Sequence, residues 1–180
     1  MLRVIELGPA EKGKELVFRY ETEYYYDVEL QERDGGWRLE LTRRPFGAAV
    51  QKEFRDVLLG DWLEEPSLYG AELDGRIVGY LELSHETWNN RLRISNIWVA
   101  GDCRRQGIGS ALMDAAVAEA RRRGARSLVL ETQSCNDPAI QFYRRHGFSL
   151  VGLDLTAYSE TDRKKKEVRL ELARPVTRAE

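Results

Sequence analysis

Cysteine and histidine are scarce: 180 residues hold two of each, Cys103 and Cys135, His85 and His146. Neither pair has the close spacing of a zinc ligand set, so no metal is expected. A disulfide is not expected in a reducing compartment. A reactive thiol stays open as the lesser alternative, because Cys103 and Cys135 flank the segment that carries the chemistry below. Charge of one sign is lacking too. Lys and Arg number 28 against 30 Asp and Glu, for a net charge of −2. That balance supplies no global basic field, and no nucleic-acid partner is expected. The runs Arg121–Arg123 and Arg163–Lys166 read as a solvated helix end and a solvated turn. No apolar stretch approaches the roughly 20 residues that span a bilayer. Glu6 interrupts the apolar run that a signal peptide would continue. No membrane partner is expected, and the chain is placed in the cytoplasm.

What is present is an ordinary globular composition, 42% hydrophobic, without repeats or a low-complexity linker. Length allows one domain with a core over 1–180. Leu2–Leu7 reads as a first strand. Leu16–Leu30 fits strand or helix spacing almost equally, and Asp34-Gly35-Gly36 followed by Trp37, Leu39 and Leu41 favours a hairpin from about Tyr24 to Arg43. Phe54, Val57, Leu58 and Trp62 are spaced as on a helix over Phe54–Leu63. Strands Leu68–Leu73 and Ile77–Leu83 meet at Asp74-Gly75, a strong hairpin dipeptide. Ile94–Val99 is a strand, Ile108–Arg123 an amphipathic helix closed by Gly124, and Ser127–Thr132 a strand. Asp137-Pro138 opens a helix that ends by Gly147, and strands follow at about Leu150–Ala157 and Glu167–Ala173. Mostly antiparallel strands with a few helices make an α+β (mixed α/β) fold.

The stretch from Val99 to Ser110, VAGDCRRQGIGS, is the most informative. A strand ends, a polar loop follows, and a helix begins at two glycines. A helix start points N–H groups and its positive dipole end at an anion. Gly107 and Gly109 let backbone approach a pyrophosphate, and Arg104 and Arg105 add mobile positive charge. The glycine-lysine phosphate loop and the dinucleotide fingerprint are both missing. The spacing Arg104-x-x-Gly107-x-Gly109 resembles the acyl-CoA pyrophosphate signature of the GNAT superfamily. On this motif alone, an Arg-rich turn that caps a helix is the alternative.

Downstream, NDPAIQFYRRHGF over Asn136–Phe148 is similar to the other core motif of that superfamily. The resemblance covers about Tyr69–Phe148 well, which makes 68–173 an acyl-CoA-binding core and 1–67 a divergent N-terminal part. It implies a central, mostly antiparallel sheet whose middle strands splay apart, flanked by helices, with acetyl-CoA as co-substrate. The pantetheine arm then bonds to the backbone of Ile97, Trp98 and Val99. The residues Arg104, Arg105, Gln106, Gly107, Ile108, Gly109 and Ser110 cradle the pyrophosphate. Asn136 contacts the arm, Ala139 lies beside it, and Tyr143 protonates the departing thiolate. Read by itself, Tyr143 fits a core aromatic beside Phe142.

Amine acetylation needs a neutral amine, a polarised thioester carbonyl and a proton for the thiolate, with no covalent enzyme intermediate. Many superfamily members carry a basic carboxylate where this chain has Ser95 and Asn96. Glu131, twelve residues before Tyr143, replaces it, in an arrangement that resembles ribosomal-protein N-terminal alanine acetyltransferases. Glu82 is the second candidate, and a solvent-facing strand carboxylate is the plain alternative for each.

A narrower resemblance rests on Trp88-Asn89-Asn90-Arg91, Leu130-Glu131-Thr132-Gln133 and Leu153-Asp154 to Ala157-Tyr158. These look like streptothricin acetyltransferases, which implies a small cationic amine as acceptor. Tyr24, Tyr26, Glu82, Trp88, Asn96, Glu131 and Tyr158 are the acceptor-binding candidates, in a region where Glu21, Glu23, Asp27 and Glu29 interleave with tyrosines. Trp88 and Trp98 fit a groove, a core or an interface, and the last would allow a homodimer. A protein N-terminal or lysine acetyltransferase and a non-catalytic acyl-CoA-binding module are the other two readings.

Overall fold

Alternation at the N-terminus and turn residues at fixed places account for most of the strands in the computed structural model, which describes residues 1–176. The elements run β1 (Leu2–Leu7), β2 (Glu15–Arg33), β3 (Gly36–Val57), β4 (Ser67–Leu73), β5 (Arg76–Glu86), β6 (Arg91–Val99), α1 (Ile108–Arg122), β7 (Ser127–Gln133), α2 (Asp137–Arg145), β8 (Ser149–Asp154), α3 (Asp162–Lys165) and β9 (Arg169–Pro175). Asp74 and Gly75 both take positive φ, 50° and 81°. That is the conformation a tight two-residue hairpin between β4 and β5 demands.

The chain divides into two compact units. The first holds Met1–Phe18, Phe54–Leu130 and the stretch from Ala173 on; the second holds Arg19–Glu53 and Glu131–Leu172. In the first unit the strand order is β1-β4-β5-β6-β7. β1/β4, β4/β5 and β5/β6 are antiparallel, while β6/β7 is parallel. This is a mixed α+β fold with a mostly antiparallel sheet. α1 lies against β1, β4, β5 and β6, and buries Leu112, Met113, Ala116 and Ala120 there. A Cβ at Gly79 would stand 3.0 Å from the Trp98 carbonyl and 3.1 Å from Leu112, so glycine allows the helix its close approach. A second packing cluster joins Leu16, Leu58, Leu68 and Tyr80.

The helix read over Phe54–Leu63 is corrected. Phe54–Val57 ends β3, and the Phe54 ring stacks on Phe18 with centroids 4.5 Å apart. Cross-strand aromatic pairing prevails over a spacing that also fits a helix. The hairpin read over Tyr24–Arg43 is much longer, with strands of 19 and 22 residues. In the second unit these two strands form a ribbon of their own, and β7, β9 and β8 are neighbours in that order. Its core gathers Val28, Ile140, Val168 and Leu170.

Glu119 on α1 is 4% exposed. Burial pushes its carboxyl up. The guanidinium groups of Arg122 and Arg123 and the Tyr69 hydroxyl outweigh burial and hold it at about 2. Its stabilisation is therefore present above the ordinary carboxylate range and is lost as pH falls toward 2. We expect Glu119→Gln to cost about 2–3 kcal/mol at neutral pH. Melting curves of variant and wild type should converge between pH 5 and pH 2, and a gap that stays constant would refute the ion-pair account.

Candidate active site

In the first unit the Val99–Ser110 segment leads from the end of a strand into the start of a helix. β6 ends at Val99, a short 3-10 turn covers Gly101–Cys103, and α1 starts after Gly107. Gly107 has φ 81°, and a Cβ there would meet nothing within 4 Å. The requirement for glycine is thus conformational, and the space beside it is open. Arg105 adopts φ 61°, a strained value that a non-glycine residue holds only where its surroundings impose it. No side chain caps α1, so the first-turn N–H groups of Ile108 and Gly109 face the loop without intrahelical partners. Arg104 Nε donates to the Val99 carbonyl at 3.3 Å and Gln106 Nε2 to the Asp102 carbonyl at 3.2 Å. Ile108 is a core residue.

The parallel register of β6 and β7 covers Arg91↔Ser127, Leu92↔Leu128 and Arg93↔Val129. Beyond Arg93 no β6–β7 register is found among the described residues. The β7-facing edge of β6 at Ile97, Trp98 and Val99 is not used by that ladder. Trp98 itself is fixed: its indole N–H donates to the Val17 carbonyl at 2.9 Å. Trp88, 82% exposed, sits at the end of the β5–β6 hairpin.

The same unit brings Glu82 and Asn96 together. They are directly opposed on β5 and β6, and Asn96 Nδ2 donates to Glu82 Oε2 at 2.9 Å. Leu59 N–H donates to Glu82 Oε1 at 2.6 Å. Glu82 is 1% exposed. Burial pushes its carboxyl up, the bonds from Leu59 and Asn96 oppose this, and the nearby charge of Asp56 pushes it up again. Asp56 is a residue that sequence reasoning missed. The helical reading of its segment hid it, and the period-two signal of Phe54 and Asp56 on one strand face would have revealed it.

In the second unit Asn136 caps α2, with its Oδ1 accepting from Ala139 N–H at 3.3 Å. Its Nδ2 group makes no bond among the described residues. Tyr143 lies on the same helix, 9% exposed, against Phe142 and Phe148 with centroids at 5.5 and 6.0 Å. Burial pushes its phenol up to about 12. Tyr24 and Tyr26 serve this helix. Arg43 stacks on the Tyr24 ring at 3.5 Å and binds Asp137 with two bonds of 2.9 Å. The Tyr26 hydroxyl accepts from Gln141 at 3.1 Å. Arg43 was also missed, since its partner lies 94 positions away. Glu131 is ion-paired with Arg169 at 2.5 Å. Tyr158 is half exposed, and its phenol is pushed up by burial and by the charge of Glu131. Asp27 pairs with Lys166 and Arg44, and Glu29 with Arg44.

Residues 37–148 match the model of the Acetyltransferase (GNAT) family. The chain belongs to that family. It is an acetyl-CoA-dependent N-acetyltransferase domain. A streptothricin acetyltransferase of Streptomyces lavendulae is 47% identical over 102 residues, 57% of this chain and 54% of that protein. The chain thus spans about half the length of that relative. The crystal structure of nourseothricin acetyltransferase has a TM-score of 0.76 at 30% identity, covering 98% of this chain and 99% of that one. A Bacillus anthracis protein crystallised with acetyl coenzyme A has the same fold, with TM-score 0.70 at 22% identity, covering 97% of this chain and 99% of that one.

The residues present fit the co-substrate of a GNAT acetyltransferase. Within the first unit, the uncapped α1 start and Gly107 suit a pyrophosphate, and the part of β6 beyond its register with β7 suits an extended amide-bearing arm. Among the described residues no group of three or more His, Cys, Asp or Glu is placed to hold a metal ion, and no helix is long and apolar enough to cross a membrane.

Aspartate tolerates positive φ better than most residues, so Gly107→Asp should keep the fold. Its carboxylate would stand where a pyrophosphate charge belongs. Saturating acetyl-CoA, worth about 2.7 kcal/mol to a wild-type fold at a hundredfold excess over Kd, should no longer raise the melting temperature of the variant. A full wild-type shift would place the cradle elsewhere.

Proposed function

We propose that this chain transfers the acetyl group of acetyl-CoA to a primary amine of a cationic small molecule of the streptothricin type, by direct attack within a ternary complex. The likeness to nourseothricin acetyltransferase over 98% of this chain carries the reading, because it takes in the N-terminal ribbon as well as the acyl-CoA core. The 47% identity to a streptothricin acetyltransferase supports the same acceptor class.

Glu82 suits the proton acceptor better than Glu131. Glu131 is committed to an ion pair with Arg169 and stands partly exposed on its strand. Glu82 has no cationic partner among the described residues, and burial makes its carboxyl more basic. It is too enclosed to touch a bulky acceptor, so it takes the amine proton through a water. Backbone N–H groups on the free edge of β6 stabilise the negative charge that develops on the acyl oxygen. Tyr143, with its phenol at about 12, stays protonated throughout the working range. An ordinary thiol titrates near 8.5, so Tyr143 supports the departing sulfur chiefly as a hydrogen-bond donor.

Purified protein with acetyl-CoA and streptothricin should release free thiol and yield acetylated antibiotic. Transfer to a lysine peptide or a protein N-terminus, with none to streptothricin, would overturn the acceptor. Tyr143→Phe should lower kcat by roughly ten- to a thousandfold with little change in acetyl-CoA affinity; unchanged turnover would make Tyr143 a core aromatic. Glu82→Gln should remove the acid limb of the kcat/KM profile, which in wild type lies above the ordinary carboxylate range of about 4.3, whereas Glu131→Gln should keep it. The opposite pattern would return the base to Glu131.

A further inference from the structure

Asn96 is 5% exposed and divides its two amide hydrogens between two carboxylates. One goes to Glu82 Oε2 at 2.9 Å and the other to Asp56 Oδ2 at 3.1 Å. Leu59, three residues after Asp56, sends its N–H to the other oxygen of Glu82 at 2.6 Å. To do so it adopts φ 55°, a left-handed value that is strained for a leucine. The strain is held from outside. Leu58 is fully buried, its N–H donates to the Lys14 carbonyl at 2.9 Å, and its carbonyl accepts from Gly13 N–H at 2.9 Å. The segment Asp56–Leu59 is thus pinned beside β5 and β6, where Leu59 N–H holds one oxygen of Glu82 and Asn96, shared with Asp56, holds the other.

We propose that Asp56 is a positioning residue of this enzyme, acting through Asn96 and through its own charge to orient the Glu82 carboxylate and keep it ready to accept the proton of the acceptor amine. The inference rests on Glu82 being the base. Charge around Glu82 is otherwise spare. β4 presents Leu68 opposite it, β6 presents neutral Asn96, and the preceding same-face residue on β5 is Tyr80, whose hydroxyl is engaged by Lys14 and Glu11. Asp56 alone, from the end of β3, brings a full charge to the network. It is half-buried, and its Oδ1 accepts from Val57 N–H at 2.7 Å. No cation neutralises it among the described residues. A negative charge one amide away disfavours ionised Glu82, in the same direction as burial. The amide between the two carboxylates donates to both and carries no proton from one to the other, so Asp56 acts by field and orientation and not as a relay.

The test is the pH dependence of kcat/KM for the acceptor in wild type, Glu82→Gln, Asp56→Asn and Asp56→Glu. Asp56→Asn keeps the shape, can still accept from Asn96, and loses the charge. Its acid limb should move to lower pH by roughly half a unit to one unit, with a lower plateau because the base is weaker. Asp56→Glu should return the limb toward its wild-type position. Asp56→Ser, whose hydroxyl can also accept from Asn96, gives a second uncharged variant should Asp56→Asn melt below the assay temperature. A structural role would lower the melting temperature and leave the limb in place. If Glu82→Gln removes the limb and neither uncharged variant moves it, the inference about Asp56 is overturned while Glu82 stands. If Glu82→Gln retains the limb, the assignment of the base itself fails.

Discussion

A parallel strand pair that holds for three residues and then stops is the constraint on which the first unit depends. β6 pairs with β5 on one side from Arg91 to Val99, with one irregularity that leaves Ser95 out of the register. On its other side it meets β7 only at Arg91–Arg93. A strand edge without a ladder must find other partners for its polar backbone, and an extended ligand with amides of its own would be a suitable one. The same geometry releases the chain after Val99 into the loop that starts α1. The open strand edge follows from the short β6–β7 register, and the uncapped helix start from the glycine at the N-cap of α1. α1 packs on the sheet through Leu112, Met113, Ala116 and Ala120, and Gly79 lets it sit close. The start of α1 and the loop before it are in this way fixed by core packing and not by the loop alone.

Much of this was legible in the sequence because it is local. Leu2–Leu7, Asp74-Gly75 and the helix after Gly107 each depend on residues within a few positions of one another, whereas the cap of α2, expected at Asp137, is one residue earlier at Asn136, whose side chain accepts from Ala139 N–H. The segment Phe54–Leu63 was not legible. Phe54 and Val57 close a strand of 22 residues, Leu58 turns into a core, and Trp62 is exposed. Their spacing imitates a helix by accident, and the Phe18–Phe54 ring stack that decides the matter joins positions far apart in the chain. The acidic and tyrosine-rich cluster shows the same limit. As a string, Tyr24, Tyr26, Asp27 and Glu29 read as a receptor for ammonium groups. In the fold, Arg43, Arg44, Lys166 and Gln141 already occupy them. Composition shows that charges are present and says nothing of which distant partners neutralise them.

The carboxylates of the first unit provide the strongest argument about its chemistry, through a contrast among them. Glu86, four residues after Glu82 on β5, is gripped by Arg91 at 2.8 Å and Arg93 at 2.6 Å, and these guanidinium groups outweigh burial and hold its carboxyl below the ordinary range. Glu119 on α1 is treated likewise by Arg122 and Arg123 and held at about 2. Arginine is abundant in this unit, so a partner for Glu82 was within reach of the sequence. Among the described residues Glu82 nonetheless receives only an amide and a backbone N–H, and a second carboxylate is set beside them. For stability alone that is the worst arrangement, since a buried carboxylate with no cation is costly to ionise. A strained Leu59 adds to the cost. Cost of this kind persists where a group must change its protonation state, because a carboxylate paired with arginine cannot take up a proton near neutral pH and one left unpaired in a dry setting can. The contrast with Glu86 and Glu119 is what supports the proposal that Glu82 is the reactive glutamate of this unit.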